Sequence, residues 1–185
     1  PAMMAAYKLL LLSEVDSTNA FLRRSAAMLD DRTVVVAKRQ TSGRGRHGRV
    51  WHTDEAGGLA LSILLRDDGL LKRHSDNVAG LTQFVAVLLC RMCVAVGVVP
   101  VIKWPNDILV GERKLAGILS EAIAGPDGIE AVIVGIGVNL NTAPTDLALI
   151  DRPATSVFAE TGNPIEREMF TQTLLDLFFS EYQSF

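Results

Sequence analysis

The sequence predicts an α+β fold in which a mixed, largely antiparallel sheet carries packed helices. Segments typical of strands outnumber segments typical of helices, and tight turns join several of the strands. One long apolar segment, between residues 78 and 99, has the length and composition of a buried helix. We therefore expect one domain, since 185 residues are enough to bury a hydrophobic core.

The N-terminal part is predicted to form three strands and two helices. The expected strands are residues 7–15, 33–39 and 59–65, and the expected helices are residues 20–29 and 77–96. Ser17, Thr18 and Asn19 precede the first helix and suit its N-cap. Gly97 follows the second helix as a C-terminal stop, and a charged connection is expected at residues 66–76.

The C-terminal part is predicted to contain a strand at residues 98–103, a hairpin and two more helices. Residues 108–110 and 114–122 should form the hairpin around Gly111 and Glu112, and residues 129–138 should form a further strand. A short helix should end near Gly162, and residues 165–182 should form the last helix. Glycines inside the strand 129–138 suggest that a ligand or another part of the backbone approaches it closely.

Residues 43–51, with the sequence GRGRHGRVW, form the segment around which the site is predicted. Glycine allows close approach of the backbone to a ligand, and arginine offers a fork of donors that matches carboxylate and phosphate. The segment follows the predicted strand 33–39, so a rigid sheet can position it. The pattern predicts a loop that closes over an anion, although a solvent-exposed basic loop or a nucleic-acid patch has the same composition.

Charge and composition narrow the classes of protein. The 18 Lys and Arg residues against 21 Asp and Glu residues give a net charge of −3, which argues against a protein that coats nucleic acid. The apolar segment 78–99 is interrupted by Thr82, Gln83 and Arg91, which favours a core helix over a membrane span. Cys90 and Cys93 lie in the same segment without a second Cys or His pair, so we expect inert core thiols.

Five motifs together resemble those of biotin protein ligases. They occur in the order of that family, as D-S-T-N at 16–19, G-R-G-R-H-G-R-V-W at 43–51, K-W-P-N-D at 103–107, K-L-A-G-I-L at 114–119 and G-I-G-V-N-L-N at 135–141. Gln40 stands where the family has a glutamine before the loop. Residues 142–185 match more loosely.

The resemblance implies a catalytic domain with a fold like that of class II aminoacyl-tRNA synthetases. It implies activation of biotin by ATP to biotinyl-5′-AMP, then transfer of biotin to a lysine of a carboxylase carrier domain. ATP, biotin and Mg²⁺ are thus expected, with metal ligands left unassigned, and a cytoplasmic location is expected from the free thiols and the lack of a signal peptide pattern.

The resemblance also assigns the site residues. Lys103 and Arg46 are expected to be catalytic. The expected biotin-binding residues are Ser17, Thr18, Asn19, Gln40, Gly43, Arg44, Gly45, Arg46, Lys103 and Gly117. The expected ATP-binding residues are Arg44, Arg46, His47, Arg49, Trp51, Lys103 and Asn139.

Two departures from the family pattern limit the expectations. The few residues before Ser17 lead us to expect no N-terminal winged helix-turn-helix and no specific DNA binding, and the small C-terminal β-barrel of many members is expected to be absent or truncated. No membrane association is expected, and a homodimer is left open. A lipoate or octanoate ligase of the related fold, or a non-catalytic nucleotide-binding module, is the alternative.

Overall fold

The computed structural model describes residues 7–53, 57–66, 78–126 and 128–184, and these contain one sheet flanked by helices. The strands are β1 Lys8–Val15, β2 Thr33–Gln40, β3 Gly58–Arg66, β4 Val101–Lys103, β5 Asp107–Val110, β6 Arg113–Gly125 and β7 Gly128–Asn139. The α-helices are α1 Thr18–Ser25, α2 Val78–Ala95, α3 Pro144–Leu147, α4 Val157–Thr161 and α5 Arg167–Glu181. Apart from Arg66, the predicted charged connection lies outside the described residues.

The strands of the described residues lie in the order β1-β2-β3-β7-β6-β5-β4. Only the pair β1 and β2 is parallel, and the other five neighbouring pairs are antiparallel. The prediction of a mixed, largely antiparallel sheet is therefore confirmed.

Alternate residues of the strands face opposite sides of the sheet, because the side-chain period of a strand is two. Val34 of β2 packs into a large core with α2 and α5, whereas its neighbour Val35 packs against Leu22 of α1. Leu64 and Ile133 belong to the α1 side as well. The α1 face therefore has the smaller apolar cluster and leaves room for a cavity.

Helix α2 is long and apolar enough to cross a membrane by length and composition alone. Half of it is buried, and Val85, Leu88 and Leu89 belong to the large core. Such burial is typical of the core helix of a globular fold, as the sequence predicted.

Several predicted boundaries differ from the observed ones. The α-helix predicted to residue 29 ends at Ser25, the strand predicted to residue 122 continues to Gly125, and the last helix, predicted from residue 165, begins at Arg167. The strand predicted at 98–103 begins only at Val101, because Gly97 adopts a φ of 89° and Val98 N–H donates to the carbonyl of Cys93, which completes the end of α2. Helix α1 begins at Thr18 instead of residue 20, because Ser17 is its N-cap and accepts from Ala20 N–H. The short helix α3 was not predicted.

Candidate functional site

A cavity of about 710 Å³ opens on the α1 face of the sheet. Every site residue predicted from the sequence lines it except Gly43. Gly43 is buried beside it, and a Cβ at this position would lie 2.8 Å from Gln40 Nε2 and would also collide with the carbonyl of Trp51. The tertiary structure thus brings together motifs that are up to 122 positions apart in the chain, from Ser17 to Asn139 (139 − 17 = 122).

One wall of the cavity is made by Thr18 and Gln40. Gln40 Oε1 accepts from the backbone N–H of Thr18 at 2.9 Å and lies 3.2 Å from the Thr18 hydroxyl. Gln40 Nε2 donates to the hydroxyl of Thr53 at 3.2 Å, which fixes the amide orientation. This wall offers uncharged hydrogen-bonding groups in a largely buried setting.

Asn19 is held from behind the wall. Its Nδ2 donates to the carbonyl of Leu119 at 3.1 Å and to Glu121 Oε2 at 2.7 Å, and its Oδ1 accepts from the Ser62 hydroxyl at 2.6 Å. Gly135 leaves space for this amide, since a Cβ there would lie 2.9 Å from Asn19 Cγ. Within the described residues the side chain of Asn19 is therefore used for support, which does not favour the predicted direct contact with biotin.

Trp51 lies on a shelf formed by two paired glycines. Gly117 of β6 and Gly137 of β7 are register partners, and a Cβ on Gly137 would come within 2.6 Å of Trp51 Nε1. The indole covers both glycines, since a Cβ on Gly117 would lie 3.4 Å from Trp51 Cζ3. Trp51 Nε1 is buried without a hydrogen-bond partner in the described part of the chain, and this favours an acceptor supplied by a ligand.

Lys114, at the start of β6, is a second lysine of the cavity. Its ammonium lies 2.7 Å from Asp107 Oδ1 and 5.5 Å from the centre of the Trp51 ring. Lys103, the lysine predicted from the sequence, lines the same cavity but is exposed at the end of β4. The side chain of Lys114 is only 33% exposed, so Lys114 is the more enclosed cation.

The loop 43–51 folds into a small hairpin over the cavity. Trp51 N–H donates to the carbonyl of Gly43 at 2.9 Å, and Gly45 N–H donates to the carbonyl of Arg49 at 2.7 Å. At the tip, His47 has a φ of 57° and Arg46 Nη1 reaches Asn106 Oδ1 at 3.4 Å. The loop thus contacts the K-W-P-N-D turn across the cavity mouth.

Two motif residues have anchoring contacts. The Nδ2 of Asn139 donates to the carbonyl of Thr155 at 3.0 Å, so the amide connects the end of β7 to the chain before α4. Asp16 accepts from Arg24 at 2.7 and 2.9 Å, and the Arg24 guanidinium lowers the pKa of the Asp16 carboxyl from its ordinary value. Asp16 therefore connects the chain before α1 to the last turn of that helix, outside the cavity lining.

No group of three or more His, Cys, Asp or Glu residues suited to a metal occurs among the described residues. Three carboxylate residues line the cavity without forming such a group, namely Asp107, Glu112 and Asp151. Carboxylate oxygens are ligands for hard cations such as Mg²⁺, which is often held by one or two carboxylates together with substrate phosphates.

The sequence reasoning missed Lys114, Ser62 and Glu121. Lys114 begins the K-L-A-G-I-L motif at 114–119, but the sequence analysis predicted only a hairpin strand there and no role in the site. Ser62 was detectable as the one polar residue between Leu59 and Leu65 of β3, where it is fully buried. Nothing local marks Glu121, because its role depends on the packing of α1 over β6.

Comparison with known proteins agrees with this geometry. Residues 11–139 match the model of the biotin/lipoate A/B protein ligase family. A biotin--[acetyl-CoA-carboxylase] ligase from Paracoccus denitrificans is 39% identical over 174 residues, which cover 91% of this chain and 70% of the relative. The bifunctional ligase/repressor BirA of Bacillus subtilis is 39% identical over 155 residues, or 83% of this chain and 46% of that protein.

Solved structures give the same result. The biotin protein ligase from Aquifex aeolicus in complex with biotin and ATP superposes with a TM-score of 0.69 at 32% identity, covering 96% of this chain and 72% of the other. The structure of P. falciparum LipL1 in complex with lipoate superposes with a TM-score of 0.61 at 11% identity. This likeness shows only that the two chains share a fold.

The chain spans about half the length of the first curated relatives that it matches, namely 46%. Its match to the family model nevertheless runs from β1 to the end of β7 and includes the strands and loops that build the cavity. On this basis the chain belongs to the biotin/lipoate A/B protein ligase family.

Proposed function

We propose that this chain is the catalytic domain of an ATP-dependent biotin protein ligase. The observation that carries the proposal is that a single cavity combines an uncharged hydrogen-bonding wall at Thr18 and Gln40 with a group of cations. Biotin has the matching parts, which are a neutral ureido ring, an apolar ring and chain, and a carboxylate. The ligase names of the relatives from Paracoccus denitrificans and Aquifex aeolicus support the same assignment.

In this proposal the ureido group of biotin contacts Thr18 and Gln40. One amide hydrogen of Gln40 is engaged by Thr53 among the described residues, so the second is available for the ureido carbonyl. The apolar part of biotin lies near Trp51 and the shelf of Gly117 and Gly137. Lipoate has no N–H donors or ureido carbonyl and would leave the polar wall unpaired, which disfavours the lipoate alternative.

The cations bring two anions together. A carboxylate and a phosphate repel each other, so positive charge between them lowers the barrier to adenylation. Lys114 lies on the enclosed side of the cavity, while Arg44, Arg46, Arg49 and Lys103 lie around its exposed side. We propose that Lys114 contacts the biotin carboxylate and the α-phosphate, and that Lys103 and the arginines bind the remaining phosphate oxygens.

The reaction would proceed in two steps. A carboxylate oxygen of biotin attacks the α-phosphorus of ATP, and pyrophosphate leaves to give biotinyl-5′-AMP. The amine of a carrier-domain lysine then attacks the acyl carbon, loses a proton and expels AMP, so that an amide forms. The loop 43–51 would exclude water from the anhydride between these steps.

Mg²⁺ would accompany ATP and neutralise phosphate charge. Asp107 is the cavity carboxylate that pairs with Lys114, and it would contribute to the binding of Mg²⁺. The proposal includes a carboxylase biotin carrier domain as partner and a cytoplasmic location. It leaves dimerisation open and assigns no DNA-binding role.

The test is incubation of the protein with biotin and Mg-ATP followed by native mass spectrometry. A retained mass increase equal to biotinyl-AMP, with release of pyrophosphate that depends on biotin, is expected. Lipoate in place of biotin serves as the matched substrate control. Equal or greater turnover with lipoate, or no turnover with either acid, would contradict the proposal.

A further inference from the structure

Behind the cavity wall, four polar side chains form a continuous hydrogen-bonded row. The row runs from Thr18 through Ser62 and Asn19 to Glu121, with contacts of 2.7, 2.6 and 2.7 Å. Thr18 and Asn19 line the cavity, whereas Ser62 is fully buried and Glu121 lies outside the lining. The row therefore connects a carboxylate outside the cavity to the hydroxyl of a residue that lines it.

Glu121 and the carbonyl of Leu119 together determine which way the Asn19 amide is turned. An ionised carboxylate only accepts hydrogen bonds, so it must face the NH₂ group of an amide. The carbonyl of Leu119 lies 3.1 Å from the same Nδ2 and has the same requirement. Gly135 packs against the amide, since a Cβ there would lie 3.0 Å from Nδ2. Asn19 Oδ1 is consequently directed at Ser62.

The orientation of Asn19 fixes the hydroxyl of Ser62. Ser62 has a single hydroxyl hydrogen and lies within hydrogen-bonding distance of both Asn19 Oδ1 and Thr18 Oγ1. Asn19 Oδ1 can only accept, so it takes this hydrogen. The Thr18 hydroxyl then donates its own hydrogen inside the protein, either to Ser62 at 2.7 Å or to Gln40 Oε1 at 3.2 Å. Its lone pairs are left to the cavity.

We infer that Glu121 is a positioning residue that makes Thr18 a hydrogen-bond acceptor toward the ligand. This inference rests on the proposed function and specifies which polar group the site prefers at that wall. A ligand with a ring N–H, such as the ureido group of biotin, finds an acceptor there. With the Asn19 amide reversed, Ser62 would donate to Thr18 and occupy a lone pair that the ligand needs.

The variant that tests this inference most directly is Glu121→Gln. It keeps the shape of the side chain but replaces a carboxylate, which only accepts hydrogen bonds, with an amide, which also donates them. The amide of this variant is able to donate to a reversed Asn19 as well as to accept from an unreversed one, so the carbonyl of Leu119 is left as the one described acceptor that still requires Nδ2. We expect the dissociation constant for biotin to rise about tenfold, as for loss of one neutral hydrogen bond. The KM for biotin should rise with it, while kcat stays within about twofold.

Two controls separate this role from a general effect of charge or stability. Arg23 Nη2 lies 3.1 Å from Glu121 Oε1. Arg23→Ala removes this ion-pair partner and leaves the Glu121 carboxylate in place. Glu130→Gln makes the same substitution in an ion pair with Arg66 on the neighbouring strand β7. Both variants should bind biotin like the parent, and all three should unfold within a few degrees of it.

The orientation can also be measured without ligand. In ¹H–¹⁵N spectra, the nuclear Overhauser effect from the Asn19 side-chain amide hydrogens to the β-hydrogens of Ser62 should be weaker in the parent than in Glu121→Gln. An effect of equal strength in the two proteins would overturn the inference. So would biotin binding by Glu121→Gln that equals the parent's. A parent that binds no biotin but shows the expected amide orientation would instead contradict the proposed function.

Discussion

The indole of Trp51 lies directly on Gly137, so that a Cβ at position 137 would stand 2.7 Å from Trp51 Cζ2. Gly137 lies inside β7 and is not among the glycines with positive φ, so alanine would not strain the backbone. The glycine is required by its neighbour across the cavity. This contact connects the arginine loop to the sheet and allows a direct test.

Gly137→Ala should displace Trp51 and lower adenylation strongly, with a loss of unfolding free energy of about 1–3 kcal/mol from overpacking. Trp51 and Trp104 are the two tryptophans of the chain, so a Trp104→Phe background isolates the Trp51 fluorescence. A red shift of that emission should accompany the loss of activity. Gly125→Ala, on β6 away from the cavity, is the matched control and should leave both signals unchanged. Unchanged fluorescence in Gly137→Ala would show that the indole does not depend on this glycine.

Lys114→Gln should reduce biotin-dependent pyrophosphate release by about 10²–10³-fold, the usual cost of removing one preorganised donor from a developing charge. Lys103→Gln is the matched control and should cost less than about tenfold, since its exposed charge is screened by water. The measurement is single-turnover adenylation with saturating biotin and Mg-ATP. A larger loss in Lys103→Gln than in Lys114→Gln would favour the catalytic role predicted for Lys103 from the sequence over the role proposed for Lys114.

Arg46→Gly should still form biotinyl-AMP but should release it faster, by roughly tenfold to a hundredfold. Arg46 is the loop residue that reaches the opposite side of the mouth, through Asn106 Oδ1 at 3.4 Å, and glycine removes that contact. The measurement is biotin incorporation into serum albumin mixed with the enzyme, biotin and Mg-ATP. Arg49→Gly removes another arginine of the same loop and is the matched control. It should incorporate less biotin into albumin than Arg46→Gly does. Albumin labelling at the parent's level, with adenylation intact, would remove Arg46 from retention of the intermediate.

Cys93 should be unreactive in the folded protein, because burial raises the pKa of its thiol from 9.0 to about 12. Ellman's reagent at pH 8 should leave Cys93 unmodified until the protein is unfolded. The thiol is protonated in the folded state while the unfolded thiol ionises, so the free energy of unfolding should fall as pH rises from about 9 to about 12. Below pH 9 this group should have no effect. Cys93→Ala should reduce that slope, and rapid modification of the native thiol at pH 8 would contradict the assignment.

The sequence by itself determined the fold class, the position of most elements and the family. Strand β2 and helix α2 follow from local residue patterns, which need no knowledge of distant partners. The arginine loop was recognisable for the same reason, because its glycines and arginines are contiguous in the chain. The predicted start of the strand 98–103 was wrong, because Val98 N–H bonds to the end of α2 although the local apolar pattern predicted a strand.

Only the tertiary structure decided which side chains work together in the cavity. Gly117 and Gly137 form one shelf because β6 and β7 pair in a particular register, and a shift of β6 by one residue would turn Gly117 to the other face. Lys114 enters the site because the pairing of β5 with β6 places the start of β6 beside Asp107, with the ammonium near Trp51. Ser62 and Glu121 support the wall because α1 crosses strands that are 43 to 102 positions away from Asn19 in sequence. Such contacts depend on long-range hydrogen bonding and packing, and no local pattern of residues specifies them.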